Sequence, residues 1–297
     1  MTADETLETV GGRNVLRVRR RLSHPPAKVW RALTEPGELT HWFPADVEVV
    51  ESDVDPGLAP GATLRFVFRE GEGETQEGRV VEADPPHVLA YTWGDATLRW
   101  ELRPHDGGAA CELVFTHAFD DRPGAAAFAA GWGRCLVGLA QRLAGEPVRL
   151  PDDHVERHEA LVARFGLDEG RLADGPAVHF VRQLPWPLGR VWDVLTDDAT
   201  AEAVRGGRVV AADPPHRLAV DADGGVATWE LSEGPGGGRV TLTQPVPADR
   251  ADAQVAALVA WHARLAHLAD AVAGRPATAV DEPALRDRYA KLVADTA

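Results

Sequence analysis

Apolar residues recur at every second position in a series of short segments along the first half of the chain. Residues 63–68 set Leu64, Phe66 and Phe68 on one face, residues 88–93 set Leu89, Tyr91 and Trp93, and residues 96–102 set Leu98, Trp100 and Leu102. Residues 111–117 do the same with Cys111, Leu113, Phe115 and His117. A period of two marks a half-buried β-strand. Residues 15–22 alternate more loosely, and residues 76–82 run into Asp84-Pro85-Pro86, which is turn chemistry. Between the first strand and the rest, residues 26–34 and 36–42 read as two short helices, each opened by a proline that suits a first helical turn. The period then changes. Phe128, Trp132, Cys135, Leu136, Leu139 and Leu143 fall three and four apart, the apolar stripe of one long helix. Asp121 is the expected N-cap, and Gly145 and Pro147 end the helix. The order predicts an α+β domain: strand, two short helices, then an antiparallel meander wrapped around a long C-terminal helix.

The pattern repeats. Val80-Val81-Glu-Ala-Asp-Pro-Pro-His87 is answered by Val209-Val210-Ala-Ala-Asp-Pro-Pro-His216, and Trp100-Glu-Leu102 by Trp229-Glu-Leu231. Trp132 in the long helix is answered by Trp261, and Arg157-His-Glu-Ala-Leu-Val-Ala163 by Arg288-Tyr-Ala-Lys-Leu-Val-Ala294. Val29-Trp30 finds its counterpart 162 positions on, at Val191-Trp192, whereas Asp84 finds its counterpart only 129 positions on, at Asp213. A block of 33 residues after the first Leu33-Thr34 is therefore absent from the second copy. The chain reads as two tandem domains, 1–170 and 171–297, the second lacking a two-strand hairpin. Such a sheet has a bare edge, and edges are usually covered. The second domain is expected to pack on the first or on another chain, as in a homodimer.

Composition narrows the function. The chain has 297 residues and a formal net charge of −15, which repels phosphate backbones and anionic lipid. Nucleic-acid and membrane binding are thereby disfavoured, and no apolar run has the length of a membrane span. The acidic, polar N-terminus lacks the layout of a signal peptide, so a cytoplasmic protein is expected. Two cysteines, Cys111 and Cys135, are too few for a disulfide framework or a cysteine-rich metal site. His154 and His158 stand one helical turn apart near Asp152, Asp153 and Glu159, but without the His-Glu-x-x-His order, and read as a solvated helix face. Phosphate-loop, dinucleotide and nucleophile-elbow signatures are absent, and no cofactor or metal is expected.

Several of these segments together resemble one known superfamily. Pro26-x-x-Val29-Trp30-x-x-Leu33-Thr34, Trp42-Phe43-Pro44, the Asp-Pro-Pro-His phrase with Tyr91-Thr92-Trp93, and Gly131-Trp132 are similar to the START-like helix-grip (SRPBCC) superfamily. Within it, the chain looks most like the bacterial homologues of the heat-shock-protein-90 ATPase activators, over residues 14–165 and more weakly over 177–295. The resemblance implies the helix-grip fold and a gap between sheet and long helix. It leaves function open among lipid carriers, polyketide cyclases, resistance proteins and chaperone cofactors.

The candidate site is the inner face of the first domain. Phe66, Phe68, Trp93, Trp100, Phe115 and Trp132 lie on it, with Trp42, Phe43, Tyr91 and Leu136 beside them. These rings either pack as a core or line an apolar pocket with few polar groups. His117 is the candidate polar group, as hydrogen-bond donor or as general base, and Arg20 shares inward parity with Val18 and Leu22. His41 is expected at the surface. Gly131, Gly133 and Gly138 interrupt the long helix, for close packing or for ligand room. The reading favoured is binding of an apolar, aromatic or polyketide-like small molecule, for carriage, sequestration or self-resistance in antibiotic metabolism. The alternatives are a cyclase or dehydratase-type enzyme using His117, and a chaperone ATPase cofactor. Rings are many and titratable groups few, which sets binding above catalysis.

Overall fold

The computed structural model describes residues 4–51, 58–69, 75–173 and 176–296, in two compact units, Met1–His154 and Val155–Ala297. In the first unit, eight strands form one antiparallel sheet in the order β1-β2-β8-β7-β6-β5-β4-β3. These are β1 (Asp4–Val10), β2 (Arg13–Leu22), β3 (Ala45–Glu51), β4 (Thr63–Phe68), β5 (Thr75–Asp84), β6 (Val88–Trp93), β7 (Ala96–His105) and β8 (Ala110–Phe119). Two short helices, α1 (Pro26–Thr34) and α2 (Pro36–Leu39), follow β2, and the long helix α3 (Ala125–Ala144) follows β8. Alternation decides the inner face: in β2, Leu16, Val18 and Leu22 are buried, and in β7 Leu98, Trp100 and Leu102. Gly145, with φ of +74°, ends α3 in the left-handed conformation that glycine adopts without penalty.

The chain pattern missed one strand, and gave no bounds for another. β1 is an edge strand whose sequence, DETLETV, is almost wholly polar, although Glu5 is buried. β3 is the other strand of the expected two-strand hairpin, paired with β4, and its bounds were not marked by alternation. Asp121 precedes a short 3-10 turn and makes no side-chain cap bond, and α3 begins after Gly124.

The second unit repeats the order with two strands fewer: β9-β10-β14-β13-β12-β11. Its strands are β9 (Arg171–Ala173), β10 (Ala177–Gln183), β11 (Arg208–Asp213), β12 (Arg217–Ala222), β13 (Gly225–Gly234) and β14 (Gly237–Pro245). Its helices are α4 (His154–Phe165), α5 (Leu188–Thr196), α6 (Ala201–Val204), α7 (Ala251–Val272) and α8 (Glu282–Thr296). Matching the two orders outward from β10 and β2 shows that β3 and β4 are what the second unit lacks. In the first unit β4 pairs with residues 75–79 of β5. Their counterparts, residues 204–208, are mostly not strand: Val204 closes α6, Arg205 to Gly207 form a loop, and Arg208 opens β11. The hairpin and its pairing segment are therefore lost together, which leaves a free edge only from Arg208 to Asp213, broken by a bulge at Val209/Ala211. Short, bulged edges resist pairing with other chains.

The repeated phrase is a turn. In each unit the histidine after the two prolines closes it: His87 N–H donates to Asp84 O and His216 N–H to Asp213 O. The His87 and His216 carbonyls accept from Leu102 and Leu231 at 2.7 Å. One glycine per unit permits the bend beside it. A Cβ on Gly78 would lie 2.0 Å from Thr92 O, and one on Gly207 would lie 2.2 Å from Asp221 O.

Helix α4, read from the sequence as a tail of the first domain ending at 170, falls within the second unit. The helix buries Val155, Leu161 and Val162, and its polar tie is an ion pair. Arg182, on the inner face of β10 and only 5% exposed, donates to Glu159 of α4. His158, taken above for a solvated residue, is 1% exposed and donates through Nδ1 to the same carboxylate at 3.2 Å. Among the described residues no helix is long and apolar enough to cross a membrane.

Burial pushes the Glu159 carboxyl up, but the His158 hydrogen bond and the Arg182 charge outweigh it and hold the group below its ordinary value. Its contribution is therefore present above the ordinary carboxylate range and is lost as pH falls through the lowered value. Glu159→Gln is expected to lower the stability of the second unit by about 3 kcal/mol at pH 7, because it strands Arg182. It should also flatten the acid limb of a denaturation-versus-pH curve; an unchanged curve would remove the pair from the account.

Candidate functional site

Four strands and one helix aim rings into the same space. β4 contributes Phe66 and Phe68, β6 Tyr91 and Trp93, β7 Trp100, and β8 Phe115 and His117. Register aligns them: Trp100 stands opposite Phe115 and Leu89, and Leu98 opposite His117 and Tyr91. From the link after α2 come Trp42 and Phe43. Trp42 Nε1 donates to Ala32 O at 2.9 Å, and the Arg69 guanidinium donates to the Thr40 and Phe43 carbonyls, which fixes both rings against the sheet. α3 adds Trp132, with Leu136 buried one turn on.

The rings form one connected network. Phe66 and Trp93 stack almost flat, with centroids 5.1 Å apart and planes 4° from parallel. Phe43 touches Phe66, Trp93 and Trp132. Trp132 reaches Trp93 at 5.6 Å, Trp100 at 5.8 Å, Phe115 at 4.6 Å and His117 at 6.1 Å. Tyr91 stacks on Phe66 and accepts from Trp100 Nε1 through its hydroxyl at 3.2 Å, while burial pushes its own ionisation far above the ordinary range. All eleven residues read from the sequence lie in this one domain, and the ten rings among them are brought together. Phe119 and Phe128, which sequence reading left out of the site, join through His117 at 4.8 and 5.0 Å. Phe119 continues the parity of Phe115 and His117, so the signal was present.

The network is filled, not hollow: ring lies against ring. Beside it, between the short helices and the sheet, Leu33, Leu39, Val47, Leu64, Leu89 and Tyr91 enclose about 30 Å³, room for about one water. Phe68 and Trp93, at one end, are only half-buried. Gly138 serves close packing, since a Cβ there would lie 3.3 Å from Trp42 Cβ, and Gly131 faces open space. His41 is exposed and Arg20 half-buried. No group of three or more metal-ligating side chains occurs among the described residues.

His117 is the polar group of the network. Trp132 Nε1, which can only donate, donates to His117 Nδ1 at 3.2 Å. Nδ1 must therefore be the acceptor, and the neutral ring carries its proton on Nε2. Burial, and then the charge of Arg13, push its pKa down to about 4. Such a histidine is a fixed donor rather than a base at neutral pH.

Comparison with known proteins follows this geometry. Residues 23–144 match the family model of the Activator of Hsp90 ATPase homolog 1-like protein. No curated protein matches the chain. Among solved structures, the chain is similar to a conserved protein of unknown function, EF2215, from Enterococcus faecalis, at 19% identity and TM-score 0.45, over 55% of this chain and 91% of that one. It is also similar to CalU16 from Micromonospora echinospora, at 20% identity and TM-score 0.43, over 56% and 99%. A protein from Rhodobacter sphaeroides matches at 27% identity and TM-score 0.38, over 48% and 99%.

Because His117 titrates near 4 in the fold and at its ordinary 6.5 when unfolded, the unfolded chain binds the extra proton between those values. Its stabilising effect is complete above pH 6.5 and is lost as pH falls toward 4, by at most about 3 kcal/mol. His117→Gln is expected to flatten that limb in urea unfolding of the first domain. An unaltered slope would contradict the assignment.

Proposed function

With residues 23–144 matching the model of the Activator of Hsp90 ATPase homolog 1-like family, we propose that the protein binds an apolar, planar, aromatic or polyketide-like molecule among the rings of the first domain. Its role is carriage, sequestration or self-resistance in antibiotic metabolism. The observation that carries this reading is the difference between the two copies. In the second unit the counterparts of Tyr91 and Trp93 are Val220 and Ala222, strand register sets Leu242 where Phe115 stands, and Trp42, Phe43, Phe66 and Phe68 have none. The same grip nevertheless closes there on Trp229 and Trp261, whose rings meet at 5.5 Å, with Phe180, Leu218 and Leu242 in the core. The fold does not need the extra rings, so they answer to something else. A flat guest exchanges ring-on-ring contacts within the protein for equivalent contacts with itself, entering beside the half-buried Phe68 and Trp93.

A second reading has its own support in the family match. A chaperone ATPase cofactor would use the outer surface of the first domain and keep the rings as a solid core. Enzymatic action of the cyclase type is the weakest reading, since His117 is held as a donor.

Titration of the full chain with uncharged two- to four-ring aromatics, read by tryptophan fluorescence, tests the proposal. Saturable binding is expected, weakened about tenfold by Trp93→Ala, the loss of one good ring contact. Failure of every probe to bind, or binding unaffected by Trp93→Ala and Phe68→Ala together, would favour the solid core.

A further inference from the structure

The geometry points to a hydrogen-bond acceptor on the guest: the ligand of the first domain carries a carbonyl or quinone-type oxygen that receives the Nε2–H of His117. This rests on the binding proposal and makes it more specific. The His117 ring lies between the sheet and α3, on the inward parity of β8, against Phe119, Phe128 and Trp132. Because the indole of Trp132 can only donate, its bond to Nδ1 leaves one tautomer, and Nε2–H has no protein acceptor among the described residues. Trp132 also touches Trp93, edge to face, at 5.6 Å. One indole thus joins the half-exposed end of the network to the polar group, and a flat molecule lying along it would have its far end at His117.

The chemistry excludes as well as selects. A cationic guest would meet a donor and no carboxylate among the network residues. A carboxylate guest would be drawn out of water to face a single neutral donor, and one hydrogen bond does not offset burial of a charge. A plain hydrocarbon would cover the His117 Nε2–H without offering it an acceptor. A neutral, planar ketone or quinone satisfies the donor and costs little to desolvate.

Fluorenone and fluorene have the same three-ring outline and differ by one carbonyl oxygen. Equilibrium dialysis of each against the full-length protein is expected to show fluorenone bound about tenfold more tightly, the effect of one hydrogen bond to a donor that the guest covers. His117→Phe should bring the two affinities together, and His117→Gln, which keeps a donor, should restore part of the difference. Equal affinities in the unaltered protein, a comparison that needs no variant to fold, would overturn the acceptor inference while leaving the apolar site standing. A preference that survives in His117→Phe would overturn it as well. Binding of neither compound would remove the site itself, and this inference with it.

Discussion

The indole of Trp132 holds the first domain together at the point where helix meets sheet. Its ring lies against Phe43, Trp93, Trp100 and Phe115, and its N–H donates to His117. A long helix over a twisted sheet leaves a wedge of space that aliphatic side chains fill poorly. Here the wedge is filled by large flat groups hinged on one residue, and the hydrogen bond from Trp132 to His117 ties the helix to β8 inside it. Everything the domain can offer a partner in its interior follows from this arrangement: many ring faces and one fixed donor.

The second copy shows what the fold demands without that requirement. It keeps the sheet order, the turn at Asp213-Pro-Pro-His216, the close approach at Gly207, and a helix tryptophan, Trp261, that donates to a strand side chain, Gln244. It loses the hairpin and the rings. In their place polar groups are buried on α4, α7 and α8: His158 and Glu159 with Arg182, and His262 Nδ1 with the Tyr289 hydroxyl, which also accepts from Gly170 N. The two copies have diverged in what fills the grip, one toward stacked rings and one toward paired polar side chains and tail helices.

Much of this was legible in the chain because period and repetition are local signals. Alternating Leu64, Phe66 and Phe68, the three-four stripe through Trp132, and the shift from 162 to 129 in the spacing of the repeats led to the sheet, the helix and the absent hairpin. What was not legible depends on long-range partners. β1 is polar at five of its seven positions and is a strand because β2 offers it a ladder. His158 lies in a run of charged residues, and nothing nearby in sequence shows that Arg182, 24 positions on, buries it through Glu159. The site residues were found by parity, yet parity cannot tell a lined cavity from a filled one; that needed the ring-to-ring distances.

The central claim is that the ring network of the first domain takes a guest. Native mass spectrometry of the purified full-length chain, against its denatured mass and after incubation with flat aromatic ketones, tests it most directly. The account predicts an added mass on the native protein that is lost on denaturation and is reduced in abundance with the Trp93→Ala variant. A native mass equal to the bare chain under every condition would contradict it and leave Trp132 and its neighbours as a core and nothing more.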